Sequence, residues 1–525
     1  MRAALGKVTL TPSTAVGSMF GDRLTRRSLL AAGTASLLMP LVAKAEIFTP
    51  THHVGGVEAR DGCYRSSVRR SIGDGSAWAF TGIRYARAAR FAAPVAVTTA
   101  EQLKGDSFGP ACPQSGNRYQ PQAEDCLFLN VWTPDIEEQR KRPVMVYFHG
   151  GAYSTGSVTD PINDGTMLAA RGDVVVVTVN HRLNALGYLY LARLDPRYSD
   201  SGNAGQLDLI AALQWVQRNI AAFGGDPANV TVFGQSGGGA KIATLMAMPA
   251  AKGLFHKAIT MSGQQVTASG PLNATRRAEA FLAKLGDGVD PATAPVEQLV
   301  AALSATDPIL GGGVYMGPVL DMTHLARHPF WPDAAPQSQG IPMMLGNTAL
   351  ETRAFYAPES KQLAGLSFDN LAARIAPEMR IDAHPEWVVG QFRARYPKAA
   401  LLDLFHRIVT AARSWRGQVE EAEARARAGV PAFVYQLDFE DAKHTDDIGL
   451  SFGTIPDPTP AQQAMSERVM DAFVRFARTG IPGWPAYDLK HRQTMIFDTE
   501  SRVEPDPRRW ERELFARVPY IQPGS

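Results

Sequence analysis

The chain has 525 residues, of which 45% are hydrophobic and 20% charged, a composition typical of a globular protein with a sizeable core. The formal net charge is only +2, and no run of Lys and Arg is interleaved with aromatic residues. This balance argues against nucleic acid or an anionic membrane surface as a partner.

Residues 1–45 have the pattern of a twin-arginine export signal. Arg26 and Arg27 precede an uncharged stretch from Ser28 to Ala43, which is too short to span a bilayer and ends in an A-x-A cleavage pattern at Ala45. A soluble N-terminal helix is the alternative. We therefore expect an exported bacterial protein, periplasmic or extracellular, with no stable membrane insertion.

The remaining residues, 46–525, are predicted to form a single domain built on a mostly parallel sheet. Residues 57–64 and 76–83 look like an edge hairpin, and residues 124–132 alternate into a buried strand. Further strand-like apolar runs follow in chain order at 143–148, 173–180, 230–233, 254–261, 341–346 and 431–439. Helical segments separate several of them, notably 208–223, 401–416 and the C-terminal 461–479. This order predicts an α/β fold of the doubly wound type.

Two long segments interrupt that order. Residues 264–340 are weakly patterned and rich in Pro, Gly and Ala, and residues 355–430 contain amphipathic helices. We interpret both segments as insertions, the first of them over one end of the sheet. No repeat or low-complexity linker divides the chain.

A G-x-S-x-G pattern, Gly234 to Gly238, lies between a predicted strand and a predicted helix. A turn this sharp leaves no room for side chains beside the serine and exposes its hydroxyl above the sheet, which is why glycines flank it. The pattern alone is weak in a chain with 47 glycines, but the strand before it and the helix after it supply the required context. Ser236 is therefore the predicted nucleophile.

A serine nucleophile needs a base and a carboxylate that orients the base. His444 alone among the later histidines follows a strong late strand into a polar loop. Glu351 lies just beyond the end of the run at 341–346, the position that the order Ser, acid, His requires. Asp321, Asp446 and Asp447 remain rival acids.

The segment from His149 to Ala152 is a candidate for half of an oxyanion hole. It follows a predicted strand, and its small residues allow backbone N–H groups to face a ligand. Together with the N–H of Gly237, directly after the serine, it can form a hole with three donors.

These motifs together resemble the type-B carboxylesterases, the carboxylesterase and cholinesterase branch of the α/β-hydrolases. The resemblance rests on EDCLFLNVW (Glu124–Trp132), HGGAY (149–153), NHRLNALGYL (180–189) and above all the long block from Gly202 to Lys241. TGIRYARAARFAAP (81–94), the AITMSG run ending at Gly263 and FARTGIPGWPAY (476–487) also match, so the likeness covers about residues 53–515.

The resemblance implies an α/β-hydrolase fold with Ser236 as nucleophile, Glu351 as acid and His444 as base. It also implies an oxyanion hole formed by Gly151, Ala152 and Gly237. Two departures stand out: the family's usual G-E-S-A-G reads G-Q-S-G-G here, and its usual Asp-Glu-Gly around the acid reads Leu-Glu-Thr.

Four structural expectations accompany these roles. The resemblance implies a disulfide between Cys112 and Cys126, which export would favour, and Cys63 is expected to be free and buried. It also implies a buried ion pair between Glu124 and Arg182. Finally, it suggests Ser262 as a supporting partner of the acid and base.

We therefore expect a serine carboxylesterase that acts on small-molecule esters through an acyl-enzyme and requires no metal or organic cofactor. A lipase, amidase, thioesterase or lactonase with the same triad is the alternative within this chemistry. A non-catalytic binding member of the fold is the alternative from another class. The identity of the ester and the oligomeric state are left open by the sequence.

Overall fold

The computed structural model describes residues 55–66, 68–72, 75–104, 107–136, 138–522 and 524. The predicted export signal at 1–45 lies outside these residues, so it stays a prediction. Within the described part of the chain, no helix combines the length and the apolar character needed to cross a membrane.

The strands alternate with helices along most of the chain. In order they are β1 (Gly55–Ala59), β2 (Gly62–Ser66), β3 (Val68–Ile72), β4 (Gly75–Arg84), β5 (Ala86–Arg87), β6 (Val95–Ala96), β7 (Phe128–Thr133), β8 (Arg142–Phe148), β9 (Val175–Val179), β10 (Gly225–Gln235), β11 (Lys257–Met261), β12 (Met343–Thr348), β13 (Ala432–Leu437), β14 (Gln493–Phe497) and β15 (Arg502–Pro505).

The helices are α1 (Thr166–Gly172), α2 (Asn184–Tyr188), α3 (Ala204–Asn219), α4 (Gly237–Leu245), α5 (Pro271–Leu285), α6 (Val296–Ala302), α7 (Leu371–Ile375), α8 (Pro385–Arg395), α9 (Leu401–Thr410), α10 (Arg416–Arg427), α11 (Asp446–Phe452), α12 (Pro460–Thr479) and α13 (Arg509–Phe515). A π-helical turn, Ala411–Trp415, joins α9 to α10.

Within the described residues, eleven strands form one sheet in the order β15-β14-β13-β12-β11-β10-β8-β9-β7-β4-β3. The pairs from β9 through β8, β10, β11, β12 and β13 to β14 are parallel, and the outer pairs at both edges are antiparallel. All residues of β8 and β9 are buried, as expected for central strands covered on both faces. The predicted α/β-hydrolase fold is thereby confirmed.

Each face of this sheet carries its own apolar core. On one face, α3 and α4 pack around side chains such as Trp215 and Ile242. On the other face, α1 and α12 pack around side chains such as Tyr147 and Phe473. Because both faces are covered, the central strands read as continuous apolar runs, and this is why the sequence revealed them.

The predicted edge hairpin between 57–64 and 76–83 is wrong in its pairing. Residues 57–64 themselves turn back, since β1 pairs with β2 in a separate antiparallel ribbon. The second strand, β4, pairs instead with β3, which the sequence analysis did not identify. A short run with little apolar character, such as β3, carries a weak strand signal.

The two predicted insertions contain helices. Residues 264–340 include α5 and α6, while residues 355–430 include α7, α8, α9 and α10. The helices from α7 to α9 form a small apolar core of their own with α13, around Phe392 and Phe405.

Candidate active site

The predicted site residues come together because parallel strands end at the same edge of the sheet. His149 follows β8, Ser236 follows β10 and Ser262 follows β11, each as the next residue in the chain. Glu351 comes soon after β12, and His444 lies in the loop after β13. Crevices at this carboxyl edge are the usual place for ligand sites in α/β sheets.

Ser236 occupies a strained turn between β10 and α4. Its φ of 54° and ψ of −121° are unfavourable for a residue with a side chain. The backbone N–H of Ser236 donates to the carbonyl of Met261 at 2.7 Å, which ties the turn to β11. A Cβ at position 238 would overlap the carbonyl oxygen of Phe148, so glycine is required there.

Gly237 marks one of the two departures from the family pattern, and the structure gives its reason. A Cβ at position 237 would overlap the carbonyl group of Ala152, which lies directly against the start of α4. The alanine that the family usually has here does not fit this arrangement.

Glu351 and His444 form a buried pair. Nδ1 of His444 donates to Oε2 of Glu351, and the two side chains are 6% and 0% exposed. The backbone N–H of His444 also donates to the carbonyl of Glu351 at 3.2 Å. The imidazole is thus held by its Nδ1 side, which leaves Nε2 available as a base.

The other carboxylate oxygen of Glu351 is equally well bound. Its Oε1 accepts hydrogen bonds from Ser262 Oγ at 2.5 Å, Asn347 Nδ2 at 3.0 Å and the N–H of Thr348 at 2.8 Å. Burial opposes the charge of Glu351, but the charge of His444 and the hydrogen bonds from His444, Ser262 and Thr348 outweigh burial and lower the pKa of this carboxyl group. Ser262 therefore lies where the resemblance suggested.

The rival acids have other partners. Asp321 accepts from Asn203 at 2.9 Å and from backbone N–H groups of residues 323–325. Asp446 accepts from the N–H of Lys443 at 2.8 Å. Asp447 accepts from the Tyr435 hydroxyl at 3.1 Å, and burial, with the nearby charge of Glu351, raises its pKa to about 7. Glu351 is the carboxylate that meets His444.

Gln235, the residue before Ser236, contacts His444. Its side-chain Nε2 lies 3.1 Å from Nε2 of His444, and Gln235 is fully buried. An amide N–H can only donate, so Nε2 accepts and the proton of the ring sits on Nδ1, facing Glu351. Among the hydrogen bonds of the described residues, Nε2 is bonded to Gln235 and not to Ser236. The sequence analysis noted this glutamine only as a departure from the family's usual glutamate.

The predicted oxyanion-hole residues face the same turn. Gly151 and Ala152 both have a positive φ, 83° and 54°. In the described part of the chain, the backbone N–H groups of Gly151 and Ala152 have no acceptor. The N–H of Gly237 belongs to the first turn of α4, where backbone donors have no partner within the helix.

An aromatic ring that sequence reasoning missed covers the base. The ring of Phe355 lies 4.8 Å from that of His444, centroid to centroid, and Arg413 lies 5.3 Å from the centroid of the same phenyl ring. Phe355 is 43% exposed. Its position four residues after Glu351 is the only signal for it in the sequence.

The predicted ion pair between Glu124 and Arg182 is wrong. Arg182 binds Asp208 of α3 through two side-chain nitrogens at 2.7 and 2.9 Å, and both residues are buried. Glu124 is 38% exposed in its side chain and pairs with Arg90 at 2.5 Å. A fully buried carboxylate needs a cation far more than an exposed one does. Asp208, the one acidic residue of α3, was the available signal.

The cysteines also differ from expectation. Cys112 and Cys126 are buried free thiols here, so the implied disulfide is not formed in this structure. The two thiols are neighbours, and the hydrogen bond between them, together with burial, raises the pKa of Cys126 well above its usual value. Cys63 is free as expected but exposed, because the inward-facing residues of β2 are Tyr64 and Ser66.

No group of three or more His, Cys, Asp or Glu side chains is arranged for a metal ion in the described ranges. What the site does offer is a serine on a strained turn, a carboxylate-bound histidine beside that turn and the unpaired N–H groups of Gly151 and Ala152 next to it. This set of groups suits nucleophilic attack on a carbonyl carbon.

Comparison with known proteins agrees with this geometry. A model of the carboxylesterase family matches residues 57–514. The para-nitrobenzyl esterase of Bacillus subtilis (strain 168) is 35% identical over 81% of this chain and 91% of its own length. The liver carboxylesterase of Sus scrofa is 31% identical over 71% of this chain and 73% of its own.

Among solved structures, the carboxylesterase EST55 of Geobacillus stearothermophilus at pH 6.2 superposes with a TM-score of 0.77 and 34% identity. The superposition covers 88% of this chain and 99% of that chain. Family and fold therefore agree, and the chain belongs to the carboxylesterase family.

Proposed function

We propose that this carboxylesterase hydrolyses small-molecule esters through an acyl-enzyme formed on Ser236. The observation that carries the proposal is the chain of contacts from Glu351 through His444 to the nucleophile turn. Nδ1 of His444 is bound to Glu351, while its Nε2 lies 3.1 Å from Gln235, the neighbour of Ser236.

The first step is attack of Ser236 Oγ on the ester carbonyl carbon. Nε2 of His444 takes the hydroxyl proton. This nitrogen then no longer accepts the hydrogen bond from the side-chain amide of Gln235. The ionised Glu351 stabilises the imidazolium that results and does not itself take the proton. Its lowered pKa keeps it charged at neutral pH.

The carbonyl oxygen becomes an oxyanion in this step. The N–H groups of Gly151, Ala152 and Gly237 donate to it, and they need no rearrangement because the turn already holds them free of other acceptors. Each such donor is typically worth about 10²–10³ in rate.

Collapse of the tetrahedral intermediate breaks the bond to the alcohol oxygen, and His444 gives its proton to that oxygen. Water then loses a proton to His444 and attacks the acyl-enzyme. The second intermediate releases the carboxylic acid, and the proton returns to Ser236 Oγ. The balance is one ester and one water consumed for one acid and one alcohol.

The test is the initial rate on p-nitrophenyl butyrate for the full chain and its Ser236→Ala variant. Loss of such a nucleophile costs on the order of 10⁶ in kcat, so the variant should be inactive above background. Ser304→Ala is the matched control, since this exposed serine bonds only the carbonyl of Ala301 and should leave the rate unchanged.

Equal rates for wild type and Ser236→Ala would refute the acyl-enzyme. The name of the Bacillus relative suggests a para-nitrobenzyl ester as a second substrate for the same comparison. Labelling with a fluorophosphonate, followed by peptide mapping, should place the adduct on Ser236.

A further inference from the structure

One buried lysine lies directly behind the turn of the oxyanion-hole residues. Lys241 is the fifth residue of α4 and is fully buried among the apolar residues of that helix. Its ammonium donates to the carbonyl of His149 at 3.1 Å and to the carbonyl of Ala152 at 2.9 Å. Among the ion pairs of the described residues, none joins Lys241 to a carboxylate.

These two hydrogen bonds complete a set that holds the back of the turn. The four consecutive carbonyls from His149 to Ala152 all find donors. Those of His149 and Ala152 meet Lys241, that of Gly150 meets Nδ1 of His149 at 2.9 Å, and that of Gly151 meets the N–H groups of Ser154 and Thr155 at 3.1 and 3.0 Å. The C=O and N–H of a peptide unit point in opposite directions, so the N–H groups of Gly151 and Ala152 point away from the held carbonyls of Gly150 and Gly151. Lys241 fixes the two peptide units on either side of this pair.

The backbone at Ala152 needs this support. A φ of 54° is strained for alanine, and such a residue persists only where its surroundings hold it. Its carbonyl lies over the start of α4, in the space that the missing side chain of Gly237 leaves free. Gly237 thus allows the approach, and Lys241 binds the carbonyl that has approached.

The ammonium is the positive charge of a buried cluster. The rings of His149 and His181 stack on each other nearby, with 4.5 Å between their centroids. The centroid of the Tyr153 ring lies 5.5 Å from Nζ of Lys241. Burial, with the charge of Lys241, lowers the pKa of His149 to about 3 and that of His181 well below its usual value. Both imidazoles are therefore neutral at moderate pH, and Lys241 supplies the positive charge of the cluster.

We infer that Lys241 is a positioning residue for ester hydrolysis: its ammonium binds the carbonyls of His149 and Ala152 and so fixes the peptide units before and after those that carry the N–H groups of Gly151 and Ala152. Held at both ends, this turn keeps the two N–H groups aimed at the ester oxygen. The inference rests on the proposed function. Lys241 touches neither substrate nor the reacting atoms, and it acts through the backbone of this turn.

Lys241→Met is the test, because methionine fills similar space without a donor. We expect kcat to fall about 10- to 100-fold, less than or comparable to the loss of one oxyanion donor, while KM changes less than about threefold. The affinity for a trifluoromethyl ketone, which forms an oxyanion adduct with the serine, should fall by the same factor as kcat/KM.

Lys257→Met is the matched control. Lys257 is a partly buried lysine at the opposite end of β11, where its ammonium binds the side chain of Asn229. Its removal should leave kcat and the inhibitor affinity unchanged. Labelling with a fluorophosphonate to completion measures the concentration of sites with a reactive Ser236. Each rate is divided by that concentration before the variants are compared.

The outcomes separate the two proposals. Inactive wild type, with Ser236→Ala no different, would refute the proposed function. Active wild type with an equally active Lys241→Met, per labelled site, would refute only the positioning role. A loss that Lys257→Met reproduces, or one that appears in KM and not in the inhibitor affinity, would also overturn it.

Discussion

A buried residue of opposite charge lies on each side of Ser236, and the two differ in the partners that surround them. On the acid side, the carboxylate of Glu351 receives hydrogen bonds from His444, Ser262, Asn347 and the N–H of Thr348. On the oxyanion side, the ammonium of Lys241 donates, among the hydrogen bonds of the described residues, to the neutral carbonyls of His149 and Ala152. Both side chains are fully buried.

The difference shows that partners, not depth, decide the charge of a buried group. Glu351 has a lowered pKa despite burial, because His444 and several further hydrogen-bond donors face it. Asp447 is equally buried nearby. Among the described residues its side chain accepts a hydrogen bond from Tyr435, and burial, with the nearby charge of Glu351, raises its pKa to about 7. Burial likewise lowers the pKa of Lys241 from 10.5 to about 7, because no carboxylate compensates.

The largest effect is expected from Glu351→Gln, which removes the anion and keeps the shape. We expect kcat to fall about 10³- to 10⁴-fold, since the amide cannot hold the imidazole in the required tautomer or stabilise its charged form. Stopped assays with p-nitrophenyl butyrate measure the loss. Asp446→Asn is the control and should stay within about twofold of wild type. A large loss of kcat in Asp446→Asn, with Glu351→Gln near wild type, would show that Asp446 is the acid that orients His444.

Lys241→Met should change how stability depends on pH. Between about pH 7 and 10.5 the unfolded chain keeps a proton on Lys241 that the folded chain has lost. This lysine therefore contributes stability that is complete above pH 10.5 and is lost as the pH falls through about 7. The free energy of unfolding of wild type should rise relative to that of the variant by about 1.4 kcal/mol per pH unit.

Urea unfolding at about pH 7 and pH 9 measures this slope. The exposed Lys252 supplies the control. The difference in free energy of unfolding between wild type and Lys252→Met should be the same at both pH values. If the difference in free energy of unfolding between wild type and Lys241→Met also stayed constant with pH, Lys241 would not be a buried lysine that lacks a compensating carboxylate.

The smallest effect is expected from Ser262→Ala. It removes one hydrogen bond of 2.5 Å to a charged acceptor, an interaction worth roughly 1.5–3 kcal/mol, while three other donors to Glu351 remain. We expect kcat to fall about tenfold with KM little changed. Ser451→Ala removes a buried hydroxyl bonded only to the carbonyl of Ile448 and should change kcat less than twofold. Equal rates for the two variants would show that Ser262 does not support the acid.

The sequence by itself determined the central strands of the sheet, the turn at Ser236 and the chain order of Ser236, Glu351 and His444. Central strands buried on both faces appear as apolar runs, and the turn at Ser236 requires glycines at fixed places, so both leave local signals. Because parallel strands end at one edge, Ser236, Glu351 and His444 could be brought together from their positions after strands alone.

Only the tertiary structure decided which polar groups meet. It chose Glu351 over Asp321 and Asp446, paired Arg182 with Asp208, placed Gln235 against His444 and put Lys241 behind Ala152. Such pairs join residues 26–209 positions apart in the chain, or depend on the exact approach of two backbones. Pairing of buried charges depends on distance and exposure in three dimensions, and residue type and spacing alone do not fix either.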